Sequence, residues 1–134
     1  MYDTSVPVRT ELTFRLPNSP GALSRVLTAL SGDHVSVTAL ALESTGRARV
    51  VADMPERAAG ILDQLHVRAE RRDVLVTAVA ARSVAARLSS VADAGINIEY
   101  AYMSPVENAA GGDTLITLVI GVEDAVRAAA AAGI

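Results

Sequence analysis

The residues best suited to chemistry in this 134-residue chain stand together at Asn18-Ser19-Pro20-Gly21-Ala22-Leu23. Ser19 is a natural helix N-cap, and Pro20 suits the first helical position, where its missing N–H costs nothing. Leu23, Val26, Leu27 and Leu30 then supply an apolar helical face. Asn18, just outside the expected cap, keeps its amide for another partner. Gly21 has no Cβ to hold a ligand away from the N–H groups at the positive end of the helix. The chemistry implied is recognition of a small carboxylate; the blander reading is that the motif only starts a helix.

A second candidate is Asn97, which stands between Ile96 and Ile98 in an alternating segment. An amide there is intrinsically disfavoured, so it is expected to have a partner, either a ligand or a backbone group across an interface. Glu99 shares the face of Asn97 and suits either a ligand ammonium or a solvated sheet surface.

Catalytic and metal-binding patterns are poor. His34 and His66 are far apart in sequence and have no carboxylate at metal-ligand spacing, and neither a Gly-x-Ser-x-Gly motif nor a phosphate loop occurs. The chain has no cysteine, which removes disulfides, thiolate nucleophiles and Cys-based metal sites together. No cofactor or metal is expected. A net charge of -3 argues against nucleic acid or an anionic membrane as the main partner. All 12 basic residues are arginine. The N-terminus has no secretory signal pattern and no apolar run approaches the ~18 residues of a membrane span, so a soluble cytoplasmic protein is expected.

These candidates need elements to position them. A strand is predicted from about Pro7 to Leu16, a helix over Ser19–Ser31, and strands around Val35–Leu42 and Arg47–Asp53 joined by a Ser44-Thr45-Gly46 turn. Pro55 and Glu56 open a second helix carrying Ala58, Ile61, Leu62 and Leu65, and His66–Arg71 reads as a fourth strand, with Arg71-Arg72 as a charged turn. The order strand, helix, strand, strand, helix, strand then begins again. Val74–Val79 form a strand, and Ser83 caps a helix with Val84, Leu88 and Val91 inward. Gly95 ends that helix. Ile96–Tyr102 alternate as a strand with Ile96, Ile98, Tyr100 and Tyr102 on its inner face. A polar hairpin containing Glu107, Gly111, Gly112 and Asp113 leads to the strand Thr114–Ile120, and a last helix starts near Glu123.

Leu30 and Val91 align 61 residues apart and Glu56 and Glu123 align 67 apart, so the halves are a duplication whose second hairpin is six residues longer. The predicted fold class is α+β, as two βαββαβ repeats, 1–72 and 73–134, each with helices on one face of an antiparallel sheet. On this alignment Ile134 corresponds to Val67, so repeat two lacks its last strand. Either another segment or chain fills that edge, or the sequence is truncated; an open edge favours pairing and a homodimer.

The helix-opening Asn-x-Pro-Gly-x-Leu after a strand, together with the Ile-Asn-Ile strand after a glycine, resembles the ACT domain, a ligand-sensing module of amino-acid metabolism with a ferredoxin-like fold. The resemblance covers nearly the whole chain as two consecutive modules. In detail it is similar to the serine-binding regulatory domain of phosphoglycerate dehydrogenases. That resemblance implies an amino acid held between paired repeats by Asn18, Ser19, Pro20, Gly21, Ala22 and Leu23 from one and Asn97, Ile98 and Glu99 from the other. The reciprocal site, Ala81-Arg82-Ser83 opposite Ser36, has decayed, and Leu16 stands where the family has a further polar ligand. The function implied is a non-catalytic amino-acid-binding regulatory protein, with a regulated enzyme or transporter as a further partner. The alternatives are a small enzyme or binding protein of a specialised pathway reusing the interface cleft, and a purely structural dimerisation module.

Overall fold

The computed structural model describes residues 7–105 and 114–133. The N-terminal Met1–Thr4, Ile134, and the residues Glu107, Gly111, Gly112 and Asp113 of the expected polar hairpin lie outside the described residues. The chain divides into two compact units. One is Thr10–Arg72; the other takes the chain up to Arg9 and again from Asp73. Residues 7–9, expected in repeat one, thus group with the second unit.

In the first unit, strand β1 (Val8–Arg15, from Thr10 on) is followed by α1 (Ala22–Gly32), β2 (Val37–Leu42), β3 (Arg47–Ala52) and α2 (Pro55–Gln64). β3 lies between β2 and β1, antiparallel to both, with Leu12 opposite Val50 and Leu40 opposite Val50 on the other side. The apolar side of this sheet, Leu12, Phe14, Ala48 and Val50, is covered by Val26 and Leu30 of α1 and Ala58, Ile61 and Leu62 of α2. Both helices therefore lie on one face, as period-2 strands with a single apolar side require.

The hairpin turn before β3 is set by Gly46, whose φ is 90°. Its N–H donates to the Glu43 carbonyl at 2.9 Å, and its carbonyl accepts the Leu16 N–H at 2.8 Å. A Cβ at Gly46 would stand 2.5 Å from the Leu16 oxygen, so both the conformation and the space call for glycine.

The expected fourth strand, His66–Arg71, forms differently. β4 runs unbroken from Glu70 to Ala80, straight through the predicted Arg71-Arg72 turn. His66 instead ends α2 in the left-handed region, with φ 59°. Its N–H donates to the Asp63 carbonyl at 3.0 Å, and the Val67 N–H donates to the Leu62 carbonyl at 2.9 Å. This is the Schellman closure, which satisfies carbonyls the helix leaves without partners. His34 ends α1 in the same way, with φ 60°, its N–H on the Ser31 carbonyl at 3.0 Å and the Val35 N–H on Leu30 at 2.9 Å.

In the second unit, β4 (from Asp73) leads through a 3-10 turn (Ala81–Ser83) to α3 (Val84–Asp93), β5 (Tyr100–Pro105), β6 (Leu115–Gly121) and α4 (Ala125–Ala132). β6 lies between β4 and β5, antiparallel to both. Leu75, Val79, Ile116, Leu118 and Ile120 form the apolar side, packed against Val91 of α3 and Ala125, Ala128 and Ala129 of α4. Val84 and Leu88 are partly buried against the same core. The other edge of β4 is met from within the unit: the Val76 N–H donates to the Pro7 carbonyl at 2.7 Å, and Val8 packs on the apolar core. The N-terminal strand segment thus lies against β4 within the second unit.

The duplication shows in the helix ends. Gly95 closes α3 with φ 78°, 61 residues after His34, and Gly133 follows α4 with φ 69°, 67 residues after His66. Two ferredoxin-like α+β units thus share one plan, each with two helices on one face of an antiparallel sheet.

Tyr100 and Tyr102 do not share the inner face with Ile96 and Ile98. They stand opposite Gly121 and Val119 on β6, which point away from the side carrying Leu118 and Ile120. β5 starts only at Tyr100, so the alternation of Ile96–Glu99 does not carry into it. The two tyrosine rings stack, with centroids 6.4 Å apart and planes 11° apart.

Candidate functional site

The loop from Asn18 to Gly21 does not begin a helix at Ser19. The Ala22 N–H donates to the Ser19 carbonyl at 3.3 Å, and Gly21 has φ 82° and ψ -2°. With proline second and glycine third, Ser19–Ala22 is a type II turn, whose third position requires positive φ. The first helical bond is from the Arg25 N–H to the Gly21 carbonyl, at 2.9 Å, and Gly21 rather than Ser19 is the N-cap residue of α1, with no side-chain cap. Ser19 fails as a cap because proline and glycine after it favour this turn over immediate helix entry. Among the described residues, no atom beyond its chain neighbours lies within 4 Å of where a Gly21 Cβ would be, so this glycine answers a backbone demand rather than a close approach.

Asn18, Ser19, Pro20 and Gly21 are exposed, while Ala22 and Leu23 are half-buried. Among the described residues the Asn18 amide has no hydrogen-bond partner. Leu23 also borders a shallow groove of about 580 Å³ along α1, with Ser24, Leu27 and Thr28. The turn therefore presents an exposed amide beside a helix end whose first N–H groups lack intrahelical acceptors. Leu16, where the family resemblance calls for a polar ligand, is packed against the apolar core.

Asn97, Ile98 and Glu99 lie in the second unit, between α3 and β5. Ile98 packs on the core and Asn97 and Glu99 are exposed. Asn97 is outside any strand, so the strand-propensity argument for a partner lapses; its amide makes no hydrogen bond among the described residues. The Glu99 N–H donates to the Gly121 carbonyl at 2.9 Å.

At the decayed position, Ala81–Ser83 form the 3-10 turn, and Ser83 precedes α3 without a side-chain capping bond. Ser36 is exposed, its N–H donating to the Asp53 carboxylate at 2.9 Å. Among the described residues no group of three or more His, Asp or Glu side chains is placed to hold a metal.

The arginines of the first unit form contacts that no motif in the sequence marks. Arg71, read as part of a turn, forms a two-pronged pair with Glu56 of α2 at 2.8 and 3.2 Å. Glu11, fully buried on the helix-free side of the first sheet, meets Arg49 at 3.4 Å. The signal was present as arginine at alternate positions 47 and 49, and as a second cluster at 68, 71 and 72.

No family model and no curated protein matches the sequence. Solved structures match it in fold. A protein from Bacteroides thetaiotaomicron superposes with a TM-score of 0.77 at 21% identity, over 96% of this chain and 88% of that one. The ligand-free regulatory subunit of aspartate kinase from Thermus thermophilus gives 0.67 at 18%, over 95% and 89%. Aspartokinase III of E. coli in complex with lysine and aspartate gives 0.54 at 23%, over 90% of this chain and 30% of that one. The fold of this chain is thus the one these solved structures share, among them the regulatory subunit of aspartate kinase from Thermus thermophilus.

Proposed function

We propose that the protein is a non-catalytic regulatory protein that senses an amino acid. The observation that carries this reading is the likeness to the Thermus regulatory subunit, which extends over nearly the full length of both chains. The E. coli enzyme, which matches over the corresponding third of its length, is described with lysine and aspartate bound. The proposed ligand contacts begin at Asn18–Leu23, where a rigid turn exposes helix N–H groups suited to a carboxylate. Asn97, Ile98 and Glu99 are the second proposed set, as the phosphoglycerate dehydrogenase resemblance implies. Occupancy acts on a regulated enzyme or on self-association as a homodimer.

A thermal-shift screen of the twenty amino acids tests the reading. One or a few should raise the melting temperature, since ligand at ~100 times its Kd stabilises by about 2.7 kcal/mol. Absence of any shift at about 10 mM would place every Kd above the millimolar range and remove the sensor reading.

A further inference from the structure

A cleft of about 530 Å³ opens in the first unit, beside β1, β3 and the chain running into β4. Arg15, Arg47, Arg49, Arg68, Arg71 and Arg72 line it, half of all the arginines in a protein of net charge -3, with Glu70 as the one lining carboxylate.

The ladder brings these charges together rather than keeping them apart. Arg15 stands directly opposite Arg47, an arrangement of like charges that destabilises a sheet. Some of the charge is answered locally. Arg49 meets Glu11 and Glu43, each at 3.4 Å, and Arg71 meets Glu56 at 2.8 Å. Arg15 donates to the Thr45 carbonyl at 3.2 Å, a contact that carries no countercharge. Among the described residues, Arg47 and Arg68 make no ion pair.

We propose that this cleft binds a small, multiply charged oxyanion of the phosphate class, such as a polyphosphate or a phosphate ester. Guanidinium groups present planar pairs of N–H donors that match phosphate oxygens two at a time. An anion seated between Arg47, Arg15 and Arg68 supplies the countercharge the fold leaves out. The volume falls within the ~300–1,000 Å³ of small-molecule sites. Nucleic acid fits poorly, because the one aromatic residue at the cleft, Phe14, is buried in the core and offers no stacking surface. This site rests on observations separate from the amino-acid reading and stands or falls without it.

Titration calorimetry of the full chain with inorganic pyrophosphate tests it, with inorganic phosphate, a sugar phosphate and glutamate as further arms. Saturable binding is expected, tightest for pyrophosphate and weaker at about 150 mM salt than at low salt. Arg47→Gln and Arg68→Gln should each weaken it about tenfold or more. Arg47→Lys, which keeps the charge but loses the planar fork, should also weaken it. Arg25→Gln, on the exposed side of α1, should leave binding unchanged. Without ligand, Arg47→Gln should melt no lower than the parent, because it removes a like-charge opposition. Tighter binding of the sugar phosphate than of pyrophosphate would identify an ester as the ligand and support the site. Absence of saturable binding, equal weakening by Arg25→Gln, a preference for glutamate, or full affinity in both Arg47→Gln and Arg68→Gln would overturn it.

Discussion

The ring of Tyr100 lies over the bare Cα of Gly121, the residue directly opposite it on the neighbouring strand. A Cβ on Gly121 would run into that ring. Gly121→Ala should therefore destabilise the protein by about 1–3 kcal/mol, the usual cost of overpacking. In a Tyr100→Ala background the same change should be close to neutral. Denaturation of the four proteins of this cycle measures the coupling; additive effects would show that the ring does not dictate the glycine.

His34 and His66 hold positive φ at the ends of α1 and α2, a conformation that costs a residue with a Cβ roughly 1–2 kcal/mol. Their counterparts in the second unit are Gly95 and Gly133. His34→Gly and His66→Gly should each stabilise by about 0.5–1 kcal/mol, after allowing for glycine's freer unfolded chain. A loss of stability on urea denaturation in either variant would mean that the imidazole makes a contribution beyond the backbone turn.

Val8 joins the core of the second unit while the Pro7 carbonyl accepts the Val76 N–H. Val8→Ala should cost about 1 kcal/mol, and Val8→Asp more, by placing a charge against apolar packing. Amide exchange should quicken at Val76 and along the second-unit part of β4, with Thr10–Arg72 little affected. Equal acceleration in both units would contradict the assignment of this strand segment to the second.

The proposed amino-acid site predicts an asymmetry. Asn18→Ala or Asn97→Ala should each weaken binding about tenfold, in line with one hydrogen bond to a charged ligand, while Ser36→Ala should change little. Gly21→Ala should weaken binding as well, because alanine strains the positive φ that shapes the turn. Calorimetry showing two equivalent sites per chain, or binding indifferent to Asn97→Ala and abolished by Arg82→Ala, would place the ligand in the other half.

The sequence by itself determined the four helices, the hairpins between them, the repeated plan and the side of each sheet that is covered, though not that β4 runs unbroken through Arg71 and Arg72. Leu12, Phe14 and Leu16 alternate with Thr13 and Arg15, and a period of two is a local property that the sequence itself exposes. It also marked Gly46 and Gly95 as turns. Conformations in which two local preferences compete were settled by the folded chain. Ser19 has the chemistry of a cap, yet Pro20 and Gly21 make a type II turn and move the helix start to Ala22. His66 has no turn signature, and its left-handed backbone follows from the carbonyls at the end of α2 needing donors. Asn97 lies in the part of an alternating segment that precedes β5 and forms no strand. Two further matters depended on residues distant in sequence. Pro7 and Val8 complete the unit that begins again at Asp73, and Arg15, Arg47 and Arg68 meet around one cleft. Strand pairing brings such residues together, and no periodicity within a single segment records which strand lies beside it.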